Sequence, residues 1–349
     1  MEPTIYSYIW EQPKILGKIL EGRDGLAAPF AELCGRVVPD RLYLVASGSS
    51  LNAAAVAAPF MEDALGIEVT PAPPSSLPAI RGERPLVVCV SQEGRSTNIL
   101  AAMERLSGFP MAVVTSAADS PAAARCPCAV RLACGEEKVG PKTKGYTATV
   151  LTLYMMALSR APRERAEARL AALRDAAGRL EGNIRAAEAW LERAAPALAR
   201  MRKCAVVGKQ GAALAAREGA LKLQETLHVA ATAFDFEEFL HGPACALDAD
   251  YAGLYILPGE SDPDAERVRA MIEWHRQIGA PVFTAGGWQP LAGGLGCGLG
   301  MTGDWSADVF ALMLPFQLAA AKIPALLGIQ DEQMREFQCM DAALGIKAK

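Results

Sequence analysis

Short apolar runs alternate along the chain with stretches in which apolar residues recur every third or fourth position. A short apolar run bounded by Gly, Ser or Pro reads as a buried strand, and the longer periodicity reads as a helix with one face on a core. Their steady alternation predicts βαβ units and parallel sheets, an α/β fold. In the first half, strands are predicted at Leu42–Ala46, Leu86–Val90, Met111–Thr115 and Ala129–Leu132, with helices at Leu51–Leu65 and Tyr146–Leu158. In the second half, strands are predicted at Cys204–Val207, Gly253–Leu257 and Pro281–Thr284, with helices at Ala212–His228, Asp264–Ile278 and Ala307–Ala321.

The two halves begin alike. Leu42-Tyr-Leu-Val-Ala46 runs into Ser47-Gly-Ser-Ser50 and an Ala-rich helix, and Cys204-Ala-Val-Val207 runs into Gly208-Lys-Gln-Gly211 and another. A duplicated domain accounts for this: two similar doubly wound parallel-sheet domains in tandem. The expected organisation is an N-terminal helical arm over 1–27, a first domain over 28–160, a helical connector over 161–200, a second domain over 201–325 and a tail over 326–349.

At 349 residues the chain exceeds what one core usually serves, in keeping with two domains. A formal net charge of −4 supplies no basic field for nucleic acid and no polybasic face for a membrane, so neither is an expected partner. No stretch is an uninterrupted apolar span of about 20 residues. Met1-Glu-Pro-Thr-Ile-Tyr-Ser-Tyr8 shows no basic segment followed by an apolar one, and a cytoplasmic protein is expected. The nine cysteines then read as reduced thiols, and Cys126-Pro-Cys128 with Cys134 lacks the paired spacing of a zinc site.

Candidate chemistry sits where predicted strands turn into helices. In Ser47-Gly-Ser-Ser50 a glycine permits a tight turn, hydroxyls donate hydrogen bonds, and a helix N-terminus adds amides and a positive dipole end. An anion site and a simply capped helix both fit this turn. Ser91-Gln-Glu-Gly-Arg-Ser-Thr97 repeats the arrangement after the next apolar run. Two hydroxyl-rich turns at strand ends are where open α/β sheets bind ligands. Neither resembles a nicotinamide fingerprint or a P-loop. Lys142 and Lys144 approach the start of a third helix, as anion ligands or as solvated lysines. In the helix Arg217–His228, Lys222 and Glu225 are neighbours on one face, with Glu218 a turn back. An exposed ion pair explains them, and so does a site. Glu225 precedes His241, which sits in Phe236-Glu-Glu-Phe-Leu-His-Gly-Pro243. A carboxylate and an imidazole are what proton transfer at a sugar carbon needs.

Gly219-Ala-Leu-Lys-Leu-Gln-Glu225 with Glu238-Phe-Leu-His-Gly-Pro243 resembles the signature of tandem sugar isomerase (SIS) domain proteins. Familiar members are the isomerase half of glucosamine-6-phosphate synthase and the fructosamine- and glucoselysine-type 6-phosphate deglycases. The resemblance covers roughly residues 30–325 and implies two flavodoxin-like SIS domains. It implies that Ser49, Ser50, Ser91, Gln92 and Ser96 hold a sugar phosphate; Ser47, Gly48, Glu93 and Thr97 in the same turns and Lys142 before the third helix are further candidate binding residues. Glu225 matches the base that moves a proton between C1 and C2, and Lys222 its helix neighbour. His241 matches a ring-opening histidine supplied by the partner subunit, so a homodimer with a composite active site is implied. Lys347 is the candidate for the lysine with which the tail closes the site in relatives. Glu93 and Lys142 stand where the synthase pattern has serine. Compensation of Glu93 by Arg95 or Lys142, a substrate amine meeting Glu93, and an absent or displaced phosphate are all compatible with that change.

The chain has Glu2 where the synthase places a nucleophilic cysteine, and about 40 residues precede the first sugar turn, too few for an ammonia-producing domain. The expected activity is therefore a deglycase that cleaves a sugar–amine 6-phosphate to sugar phosphate and free amine, with no metal or organic cofactor. The alternatives are an aldose–ketose phosphosugar isomerase, a glucosamine-6-phosphate isomerase/deaminase, or a non-catalytic sugar-phosphate-binding regulator. Retention of both Glu225 and His241 favours an enzyme.

Overall fold

A computed structural model describes residues 4–288, 295–329 and 339–348. The expected tail over 326–349 therefore lies partly outside the described residues. The chain divides into two compact units, a first of Lys14–Arg174 with Met334–Lys349 and a second of Met1–Pro13 with Asp175–Gln333.

The part of α1 (Ile5–Glu21) from Lys14 onward and the start of a long helix described below belong to the first unit, which continues with α2 (Arg23–Val37). Its sheet is built from β1 (Arg41–Ala46), β2 (Glu68–Ala72), β3 (Pro85–Val90), β4 (Met111–Thr115) and β5 (Ala129–Arg131). These strands are parallel in the order β2-β1-β3-β4-β5. Connecting them are α3 (Ser49–Leu65), α4 (Thr97–Arg105) and the short α5 (Pro121–Ala124), and α6 (Lys144–Leu158) follows β5. The central strands are apolar on both faces, and every residue of β3 is buried, as expected of a sheet covered by helices on each side. Every residue of α6 is buried too, so its apolar residues show no one-sided stripe. It packs against α3 and α2.

The second unit repeats the design. The long α7 (Arg163–Arg200) leads into β6 (Lys203–Gly208), α8 (Gly211–Leu227), β7 (Ala230–Asp235), the short α9 (Phe236–Leu240), β8 (Tyr251–Ile256), α10 (Ala265–Gln277), β9 (Val282–Gly286) and β10 (Leu295–Gly298). The strand order is β10-β9-β8-β6-β7, which is the order of the first sheet read from the other edge. Both sheets are thus doubly wound, with the chain reversing direction beside the first strand of each. The predicted helix Ala307–Ala321 is two helices, α11 (Trp305–Leu312) and α12 (Leu314–Leu326). Pro315 lies in the first turn of α12, and a proline inside one continuous helix would lose an amide bond and clash with the preceding turn. Trp305–Leu326 has the length and hydropathy of a membrane span, yet 72% of its most apolar window is buried inside the fold. It lines the core against α8, where Gly219 leaves room for Phe316.

Candidate functional site

The first sheet reverses direction between β1 and β3, and the crevice beyond their carboxyl ends is the expected ligand position in such a sheet. Both serine turns lie there. Gly48 precedes α3 with φ +56° and ψ −136°, a conformation open to glycine alone at low cost. Ser47 Oγ accepts from Asn98 Nδ2 at 2.8 Å, which ties the β1 turn to the first turn of α4. Ser49 and Ser50 open α3. In the second turn Ser91 is buried, and its hydroxyl lies 3.4 Å from that of Ser96. Gly94 has φ +65°, and a Cβ there would come within 2.2 Å of Ser120 Oγ.

Gln92 is turned into the framework. Its carbonyl accepts from Ser116 N and Oγ and from Thr115 Oγ1, and its side-chain amide donates to Glu137 at 2.9 Å. Gly145 makes that possible, because a Cβ at 145 would stand 2.1 Å from the Gln92 amide. The buried Glu137 carboxylate also accepts from the backbone N–H groups of Thr143, Lys144 and Gly145 at 2.7, 3.1 and 3.1 Å. The anion at the α6 N-terminus is therefore the protein's own. This explains how two lysines sit beside the positive end of a helix.

Glu93 is the charged centre of the second turn. One carboxylate oxygen takes Lys142 Nζ at 2.8 Å and the other takes Lys347 Nζ. Burial alone would raise the Glu93 carboxyl, but hydrogen bonds and charge from Lys142 and Lys347 prevail and bring it down to about 2. Lys142 also donates to the carbonyls of Glu137 and Val139 at 3.0 and 3.4 Å. The tail carrying Lys347 docks on the same turn. Ser96 and Lys347 form an antiparallel bridge, and Ala348 N donates to Arg95 O at 2.7 Å. Thr97 donates its N–H to Ile346 O and its hydroxyl to the carbonyls of Gly345 and Ile346. Asp341 accepts from Lys347 N at 2.8 Å. Thr97 and Lys142, both expected to line the anion site, are thus occupied by the protein itself.

In the second unit the corresponding turn, Gly208–Gly211, holds no serine. Lys209 forms ion pairs there with Asp262 and Asp264 at 2.6 and 2.7 Å. Helix α8 carries the proton-transfer candidates. Lys222 and Glu218 are each 1% exposed at the side chain, with Glu225 at 34%. The Lys222 ammonium lies 2.6 Å from Glu225 Oε2 and 3.3 Å from Glu218 Oε1. Burial by itself would depress Lys222, but the two carboxylates outweigh it and hold the ammonium above its ordinary value. A buried cation thereby fixes a carboxylate whose other face meets solvent. His241 ends α9 with its N–H on Glu238 O and is exposed. Its segment is anchored by Asp235, which caps α9 through Glu237 N, and by Glu237 paired to Arg267, itself 2.9 Å from Asp264.

Asn98, Glu137 and Asp341 have site roles that sequence reading did not assign. Asn98 and Asp341 carry no distinctive motif, and Glu137 stands six residues before the α6 N-cap Thr143, outside any local capping pattern. Among the described residues no group of three or more His, Cys, Asp or Glu is arranged to hold a metal ion. Cys126, Cys128 and Cys134 donate instead to backbone carbonyls.

Residues 37–159 match the SIS domain family. The glutamine–fructose-6-phosphate aminotransferase (isomerizing) of Caulobacter vibrioides is 26% identical over 311 residues, which is 85% of this chain and 51% of that protein. The chain spans about half the length of the curated relatives it matches. A candidate phosphosugar isomerase from Clostridium difficile 630 superposes with TM-score 0.86 at 26% identity, covering 93% of this chain and 94% of that one. The C-terminal domain of glucosamine-fructose-6-phosphate aminotransferase from Francisella tularensis superposes with TM-score 0.82 at 17% identity, covering 94% and 97%, a likeness of fold.

Proposed function

With an SIS domain over residues 37–159 as premise, we propose that the chain is a phosphosugar-processing enzyme, and that it acts as a deglycase on a sugar–amine 6-phosphate. The observation that carries the proton-transfer part is the Glu218–Lys222–Glu225 arrangement. The buried ammonium of Lys222 orients Glu225, and Glu225 keeps one face toward solvent. A carboxylate held in this way is suited to be a general base.

In this reading the serine turns of the first unit bind the phosphoryl group through Ser49, Ser50, Ser91 and Ser96. His241 assists opening of the sugar ring. Glu225 removes a proton from C1 of the ketoamine, and a proton returns at C2. The product is an imine at C1, which water hydrolyses to an aldose phosphate and free amine. The exposure of His241 is compatible with its serving a partner subunit, and a homodimer belongs to the proposal. The test is incubation with sugar-phosphate–amine adducts in deuterated water, following free amine and deuterium at C1 and C2. Amine release with exchange supports the reading. Exchange and ketose–aldose conversion without amine release would replace the deglycase with an isomerase.

A further inference from the structure

Glu93 places a carboxylate at the serine turn proposed for a phosphoryl group, and both of its oxygens are engaged by ammonium groups. Lysine has three donors, and Lys142 spends them on Glu93, the Glu137 carbonyl and the Val139 carbonyl. The other charged groups around Glu93 are Lys347 with its neighbour Asp341 on the tail, Arg95 on the same turn, and Glu137 behind Gln92. An incoming anion therefore meets two lysines already paired with one carboxylate, and it must take them from Glu93. The Glu93 side chain is 38% exposed, so it can turn to water when displaced.

We propose that Glu93 is a specificity-determining residue that sets a charge threshold at this turn, admitting a phosphate dianion and rejecting monoanions. The inference rests on the phosphate reading of the serine turns. A monoanion that replaced Glu93 would exchange one carboxylate-type contact for another and gain nothing. A phosphate carries roughly −1.5 to −2 charge and three acceptor oxygens, so it can engage both ammonium groups more strongly than Glu93 does. Because Glu93 stays ionised down to about 2, the competition operates at any physiological pH.

The experiment compares two ligands by calorimetry at one neutral pH: glucose 6-phosphate, a dianion, and its methyl phosphodiester, a monoanion. Native protein should prefer the dianion by at least about tenfold. Glu93→Gln, which keeps size and hydrogen bonding, should bind both more tightly and narrow the preference to about twofold. An equal preference in native and variant overturns the role of Glu93 while leaving the phosphate site standing. Weaker binding of both ligands to Glu93→Gln also overturns it, since Glu93 would then contact the ligand directly. No binding of glucose 6-phosphate by either protein removes the phosphate reading and the inference with it. The native arm needs no variant, so a folding defect in Glu93→Gln does not protect the proposal.

Discussion

Gln210 adopts the backbone conformation of Gly48: φ 52° and ψ −123° against φ 56° and ψ −136°, each at the residue that precedes the first helix of its sheet. The turn has the same shape in both units, and only Gly48 is a residue suited to it. A side chain at positive φ costs of order 1–3 kcal/mol. Gln210→Gly should therefore raise the unfolding free energy of the protein by about 1 kcal/mol, measured by urea titration. Gly48→Ala should lower it by a similar amount, through backbone strain alone, since no atom lies within 4 Å of the added Cβ. A destabilised Gln210→Gly would mean that the glutamine side chain makes up the strain.

Glu225 and Glu218 should separate cleanly. Glu225→Gln removes the proposed base and should lower turnover by about 10²–10⁴ with little change in substrate binding. Glu218→Gln leaves Glu225 on Lys222 but takes a charge from beside a buried ammonium. It should cost about 1–3 kcal/mol of stability and far less activity. Near-native deuterium exchange in Glu225→Gln would reduce the cluster to a buried ion pair.

His241 invites a mixing experiment. Homodimers of Glu225→Gln and of His241→Asn should each be inactive. Their heterodimers should recover part of the activity if the histidine serves the partner subunit's site. Heterodimers that form and stay inactive would place both residues in one subunit's site.

His275 sets a pH limit on folding. It is fully buried, its Nδ1 lies 2.8 Å from Tyr255 Oη and its Nε2 is 2.8 Å from Tyr251 O. Burial, opposed by the bond to Tyr251, lowers its pKa below the ordinary value of 6.5. Below that pH the unfolded chain takes up a proton that the folded chain refuses, so stability is present above about 6.5 and is lost as pH falls through the folded value. Urea unfolding should show a drop between about pH 7.5 and 5.5, and His275→Gln should flatten it. An unchanged slope in the variant would assign the drop elsewhere. Glu93 would not confuse this result, because it titrates from its ordinary range down to about 2.

The central strands were legible in the sequence because burial on both faces leaves an unbroken apolar run. The unpredicted strands β2, β7 and β10 all lie at sheet edges. Glu68-Val-Thr-Pro-Ala72 carries a proline that only an edge tolerates, and Leu295-Gly-Cys-Gly298 is half glycine. Ala230–Asp235 alternates exposed and buried positions at its start and ends on the aspartate that caps α9. In the site, the positions of the serine turns followed from strand–turn–helix punctuation. The pairing of Glu93 with Lys347 did not, because residues far apart in sequence meet only through the folded chain. Nor did the occupation of the α6 N-terminus by Glu137, where sequence reading had considered a bound anion. Local pattern specifies which groups are present, and tertiary contacts decide which of them remain available.

The bridge between Ser96 and Lys347 also bears on the order of synthesis. The strands of the first sheet and the turn carrying Ser96 leave the ribosome before any of β6 to β10, while the segment that seals that turn follows all of them. The first unit can form its sheet early and pair Lys142 with Glu93, but Thr97 and the second Glu93 oxygen gain their tail partners only when residues 341–348 arrive. The emerging chain therefore carries an open serine turn through the entire production of its second unit.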